Sequence, residues 1–270
     1  MSAEVPESQP PAHPAKGAWP ADVRTWTAHR ASLVAVVAAF AAAGIWALAG
    51  GWPGLVPSLP RVAEIAVVQA PTAAQPDFGP EQPSPDLRRL AHWIVSTSDH
   101  AGAPFFIIDK PKARLLVFDG QGRLQGAASV LLGLALGDDS VPGIGSRPLA
   151  DIRPEERTTP AGRFIAEHGR NLRNEGVVWV DYDAAVSMHR VLTTNPAERR
   201  LERLASRSVQ DKRISSGCIN VPAAFFDALV YPPVAGGAKV IIYVLPDERP
   251  LLAVFPGLDG QPKGAGKLGS

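Results

Sequence analysis

The chain's only cysteine, Cys218, sits in the stretch RISSGCINVP, Arg213 to Pro222, directly after a glycine. A thiolate attacks a carbonyl well, but it needs a base to take its proton and donors to receive the developing oxyanion. His189 is the natural base, provided that its strand runs beside the loop holding the cysteine, and the 28 residues between them are ample for the chain to turn back. Backbone amides of Ser216, Gly217 and Cys218 are candidate oxyanion donors, because the glycine allows a bend that a side chain would block. A helix starting after Pro222 would bring its N-terminus near the sulfur and favour the thiolate.

Three other fates compete for this thiol. Simple burial is the usual one for an unpaired cysteine. Packing alone, however, does not call for Ser215, Ser216 and Gly217 before it and Asn220 after it. A metal site needs more ligands at short spacing, and the sequence contains no CxxC, no HExxH and no close histidine pair. Pairing with a cysteine of another chain stays open in an oxidising compartment. His92, His100 and His168 have neighbours that suit helix ends and turns better than catalysis.

Ser215-Ser216-Gly217-Cys218-Ile219-Asn220-Val221-Pro222 does not stand alone. With His189 upstream and Thr159-Pro160-Ala161-Gly162-Arg163-Phe164 before both, it resembles the catalytic domain of the YkuD-type L,D-transpeptidases, bacterial cell-wall enzymes, over roughly Phe105 to Leu245. The resemblance implies that Cys218 takes the acyl group of a peptidoglycan stem peptide and that His189 activates it. It further implies that the backbone carbonyl of Arg190 orients the imidazole, that amides of Ser216, Gly217 and Cys218 form the oxyanion hole, and that Ser215 and Asn220 support the loop or meet substrate. The acceptor would be an amine of a second stem, a lipoprotein lysine or water, the last giving an L,D-carboxypeptidase. No metal or organic cofactor is implied. The fold implied is mainly β, an L,D-transpeptidase-like β-sandwich with short peripheral helices. Two departures stand out: Ser216 occupies the position usually held by a histidine, and the 25 residues between His189 and Ser215 exceed the usual spacing. Such surface insertions cost little.

The elements that must position these residues follow a long leader. Ala31 to Gly50 carries no charge over 20 residues, roughly what a helix needs to cross ~30 Å of hydrocarbon. Lys16, Arg24 and Arg30 precede it, and the next charges are Arg61 and Glu64, so the bulk of the chain is expected outside the cytoplasmic membrane. Ala47-Leu48-Ala49 resembles a cleavage site, which keeps a secretory signal open, but the long leader and long apolar run favour a retained single-pass anchor. The expected plan is a cytoplasmic segment 1–30, a transmembrane helix 31–50, a Pro/Ala-rich spacer 51–85, a catalytic domain 86–256 and a flexible tail 257–270. The domain would then lie on the periplasmic or extracytoplasmic side of a bacterial inner membrane, within reach of the wall. A net charge of +1 offers no field to gather nucleic acid.

Within the domain, Leu87, Leu90, Ile94 and Val95 recur at helical spacing after an acidic first turn. FFIID at 105–109, RLLVFDG at 114–120 and RLQGAASVLLG at 123–133 read as strands joined by tight turns, which favours antiparallel pairing. Residues 133–160, rich in Gly, Pro and charge, read as a surface excursion framing a site. Strands are expected again near Phe164, at 177–183, 185–191 and 239–245, with a weaker one at 251–255. Asn195-Pro196-Ala197-Glu198 is a helix start, predicting a helix from Pro196 to Ala205 with Leu201 and Leu204 inward and Arg199, Arg200, Glu202 and Arg203 toward water.

Overall fold

FFIID and IIYV are buried at every position, and a strand with no solvent face must be covered on both sides. In the computed structural model, which describes residues 75–171 and 173–260, these two runs pair in the middle of a sheet. The strands are β1 (Phe105–Asp109), β2 (Arg114–Phe118), β3 (Leu124–Ser129), β4 (Leu132–Gly133), β5 (Gly162–Ile165), β6 (Glu167–Arg170), β7 (Gly176–Asp181), β8 (Val186–Arg190), β9 (Arg213–Ser215), β10 (Ile219–Val221) and β11 (Ile241–Val244). The helices are α1 (Pro85–Thr97), α2 (Arg200–Ala205), α3 (Ala223–Phe225), α4 (Tyr231–Ala235) and α5 (Leu251–Val254), with a π-helical turn between α3 and α4.

Five strands form one sheet in the order β3-β2-β1-β11-β5. The β1–β2, β2–β3 and β11–β5 pairs are antiparallel, whereas β1 and β11 run parallel. A second sheet has the order β10-β8-β7-β6, in which β8 and β10 are parallel, and β4 pairs with β9 beside it. Alternation along the strands sends Phe106, Ile108, Leu115, Val117, Ile242 and Val244 from the first sheet against Val178, Val180, Val186, Met188, Ile219 and Val221 of the second. The other face of the first sheet, with Phe105, Ile107, Leu116, Phe118, Ile241 and Tyr243, is buried under α1 and α5.

The architecture is therefore a mixed α/β fold with several sheets and short helices: two sheets face each other across one core, as expected, and helices cover the outer face of the first. Two things differ physically. The parallel β1–β11 and β8–β10 pairs bring together segments remote in sequence, which local turn signals do not reveal. Leu251–Val254 is a helix, not a strand, because it starts after Pro250 and buries Leu251 with Phe255 and Leu258 at helical spacing. The stripe expected on α1 is buried as Leu87, Leu90, Ala91, Ile94 and Val95, and Ser84 Oγ caps it by accepting from Leu87 N at 3.3 Å. No helix among the described residues is long and apolar enough to cross a membrane. Residues 31–50 lie outside those residues, as do 1–30, most of the spacer and residues 261–270 of the tail.

The Lys-Pro-Lys turn is more than a connector. Lys110 has no exposed side chain and donates to Gly137 O (2.6 Å), Asp138 Oδ1 (2.8 Å) and Thr159 O (2.8 Å). Asp247 lies 3.4 Å from the same ammonium and takes a bidentate pair from Arg213 at 2.6 and 3.1 Å. Burial raises the Asp138 carboxyl, but the hydrogen bond from Lys110 and backbone amides of Arg249, Asp247 and Glu248 outweigh it and hold the group down to about 2. Its stabilisation is thus present above the ordinary carboxylate range and lost as pH falls through about 2. Lys110→Met leaves two buried carboxylates short of a cation and is expected to lower stability by about 3–5 kcal/mol at pH 7. Urea unfolding at pH 7 and at pH 2 checks this: the loss should shrink at the lower pH, and an equal loss at both would contradict the electrostatic account.

Candidate active site

The register of β10 against β8 assembles the candidate residues. Ile219 pairs with Met188, Asn220 with His189 and Val221 with Arg190, in parallel. Because Val186, Met188, Ile219 and Val221 all enter the core, the alternate residues Ser187, His189 and Asn220 must occupy the opposite face, and Cys218, one step before β10, falls beside Ser187. The register sets Cys218 and His189 on one face of the sheet, about two residues apart along adjacent strands. Both side chains are nearly closed off, at 4% and 5% exposure.

The sulfur lies 3.6 Å from the carbonyl oxygen of Ala185, to which the thiol donates, and 3.7 Å from Ser187 Oγ. On the imidazole, Nδ1 is 2.7 Å from Arg190 O. A carbonyl only accepts, so Nδ1 carries the proton and Nε2 is the basic nitrogen of the neutral ring. The Arg190 side chain turns away to Asp227 and stacks its guanidinium 4.9 Å from the Phe226 ring centroid. Only its backbone belongs to the site.

The loop before Cys218 is built by Ser215. Its hydroxyl donates to Cys218 O at 2.6 Å and accepts from Gly217 N at 3.1 Å, closing a tight turn. Of the three amides expected to serve the oxyanion, those of Ser216, Gly217 and Cys218, the Gly217 N–H donates here to Ser215 Oγ. Gly217 adopts φ +130°, and a Cβ there would come within 2.8 Å of Thr158 O, so the position requires glycine on both counts. Asn220 N and O pair with Leu131, and its Nδ2 reaches Cys218 O at 3.4 Å.

Asn220 Oδ1 accepts from Arg200 Nη1 at 2.6 Å. The helix expected from Pro196 to Ala205 is in fact a short 3-10 turn, a left-handed Arg199 at φ 51°, and then α2. Asn195 caps the start by accepting from Ala197 N, but Glu198 pairs with Arg200 instead of returning to the cap. That break rotates the basic face: Arg200 is turned in, with 9% side-chain exposure, while Leu201 is 58% exposed. Arg200→Ala should loosen the Asn220 side chain and the loop behind Cys218, slowing any reaction at the thiol by about tenfold, since small misplacements at reacting groups cost that much or more. Rates of thiol modification in the two proteins check it.

Sequence reasoning missed Ser187, Thr159 and Arg200 as members of the site. Ser187 was detectable as a polar residue two positions before His189 in a strand, hence on the same face. Thr159 stood in the quoted motif without a role: it is fully buried, accepts from Gly133 N at 2.9 Å and donates to Gly217 O at 2.8 Å. Nothing local marked Arg200. His100 bridges Ile94 O and Gly120 O beneath α1, and exposed His168 meets Tyr231, so neither joins the cluster. Among the described residues no group of three His, Cys, Asp or Glu side chains is placed to hold a metal ion.

No family model and no curated protein matches the chain. Among solved structures, the L,D-transpeptidase LdtMt1 in complex with imipenem is similar at 17% identity over 53% of this chain and 59% of that one, with a TM-score of 0.30. The helical cell shape determining protein Pgp2 from Campylobacter jejuni is similar at 17% identity over 54% of this chain and 49% of that one, with a TM-score of 0.36. The L,D-transpeptidase of Xylanimonas cellulosilytica is similar at 17% identity over 53% and 60%, with a TM-score of 0.31. The chain thus spans between 49% and 60% of the length of these three structures, and each is a partial likeness that does not assign it to a family.

Proposed function

We propose that this protein is a cysteine-dependent L,D-transpeptidase acting on peptidoglycan tetrapeptide stems. The observation that carries the reading is the pairing of parallel strands β8 and β10, with His189 and Cys218 on one sheet face and His189 Nδ1 tied to the Arg190 carbonyl. His189 Nε2 takes the thiol proton, and the Cys218 thiolate adds to the carbonyl between the L-centre of a diamino acid and the terminal D-residue. Backbone amides of the 216–218 loop receive the oxyanion. The C–N bond breaks as protonated His189 gives its proton to the departing D-amino acid, leaving a thioester on Cys218. An amine of a second stem or a lipoprotein lysine then attacks, and the thiolate leaves. Water in that role would make the protein an L,D-carboxypeptidase. The uncharged span 31–50 fits the same picture, holding the domain at the outer face of the membrane.

Incubating the purified full-length chain with disaccharide-tetrapeptide and weighing the products tests the reading. A cross-linked dimer with loss of the terminal D-residue supports transpeptidation, a shortened stem supports the carboxypeptidase, and unchanged substrate with no protein adduct overturns both. The near-complete burial of Cys218 and His189 favours a second reading, a non-catalytic wall-binding module. Such a module keeps its affinity for muropeptides in Cys218→Ala and never forms a covalent adduct.

A further inference from the structure

Resting on the acyl-transfer reading, we propose that the hydroxyl of Thr159 is the positioning group that aims the Cys218 N–H at the oxyanion. The Gly217 carbonyl and the Cys218 N–H are the two ends of one peptide unit. In a planar trans peptide they point in opposite directions, so whatever fixes the oxygen fixes the aim of the proton. Thr159 Oγ1 donates to that oxygen at 2.8 Å, from a residue with no exposure. The bond also draws charge toward the carbonyl, which makes the N–H at the other end a better donor.

Thr159 is itself held at both its hydroxyl and its carbonyl. Its hydroxyl accepts from Gly133 N at 2.9 Å, its carbonyl accepts from the buried ammonium of Lys110 at 2.8 Å, and Lys110 is locked between Asp138 and Asp247. The backbone of residues 157–159 runs between two glycines where a Cβ could not fit. A Cβ on Gly133 would meet Arg157 O at 2.4 Å, and one on Gly217 would meet Thr158 O at 2.8 Å. The ionic cluster that secures β1, β9 and the segment after β11 therefore continues, through one hydroxyl, into the peptide that carries the nucleophile. The hydrogen bond from Thr159 lies on the far side of that peptide from its N–H, so the hydroxyl acts on charge developing in the transition state without touching substrate.

Two reagents separate this role from simple support of the fold. Acylation of Cys218 by a p-nitrophenyl ester of an acylated L-amino acid passes through an oxyanion, whereas alkylation by iodoacetamide displaces iodide at a saturated carbon and develops none. In the full-length protein, Thr159→Val is expected to slow nitrophenolate release by about 10- to 100-fold, with the rate of Cys218 alkylation and its pH profile within about twofold of wild type. Thr159→Ser keeps the hydroxyl and should restore acylation, and Thr159→Ala serves in place of valine if that variant does not fold. Acylation at the wild-type rate in the valine or alanine protein overturns the inference, as does an equal slowing of both reactions, which marks a merely structural residue. If the wild type alkylates at Cys218 but never acylates, it is the acyl-transfer reading that falls, and the role of Thr159 falls with it.

Discussion

Cys218→Ala is expected to abolish the covalent adduct between this protein and an activated acyl ester, and Cys218→Ser to slow its formation by about 10⁴-fold or more, the scale seen when a nucleophile is removed from a preorganised site. The reason is specific to sulfur. A hydroxyl is far weaker as a nucleophile at neutral pH, and serine here would have His189 as its only means of activation. The substitution changes little else: the side chain is small, its contacts include the Ala185 carbonyl and Ser187 Oγ, and a hydroxyl can make both. Intact-protein mass spectrometry of the three proteins after exposure to the ester is the measurement. An adduct on Cys218→Ala at the wild-type rate would place the nucleophile elsewhere and refute the mechanism.

His189→Ala should lower the acylation rate by about 10²- to 10⁴-fold, the usual contribution of a positioned base. The form of the loss matters as much as its size. With the imidazole in place, proton removal is intramolecular, through the Nε2 that the Nδ1–Arg190 O bond exposes as the basic atom. Without it proton removal falls to hydroxide or buffer, so the residual rate is expected to depend more steeply on pH than the wild-type rate. A rate–pH profile from 5 to 10 on both proteins reads this directly. Parallel profiles, shifted only in height, would mean that the ring supports the sheet and does not move the proton. In Cys218→Ala the further loss of His189 should change nothing, because the two act as one unit.

How much of this was legible beforehand can be judged residue by residue. Cys218 and His189 were nameable as candidates from their types and neighbours, because nucleophile and base chemistry restricts the amino acids that can supply it. The buried strands FFIID and IIYV, the α1 stripe and the Asn195 cap were legible too, since each depends on periodicity or on a bond within a few residues. What local rules miscast were segments whose partners are far away in the chain. Leu251–Val254 became a helix through contact with Phe255 and the layer under β11, and Arg200 turned inward because a left-handed Arg199 re-aimed a helix whose propensity said otherwise.

The amino-acid sequence by itself determined which groups are present for acyl chemistry, where the uncharged span lies, and which runs must be buried. The tertiary structure alone decided that β8 and β10 lie side by side in a register that puts the imidazole and the thiol on one face. It alone also decided that Lys110, Thr159 and Gly217 form one hydrogen-bonded line behind Cys218. The physical reason is range. Propensity, capping and alternation act over a few residues, whereas parallel pairing and buried ion clusters join residues such as 110, 159 and 213, whose meeting depends on how the whole core closes.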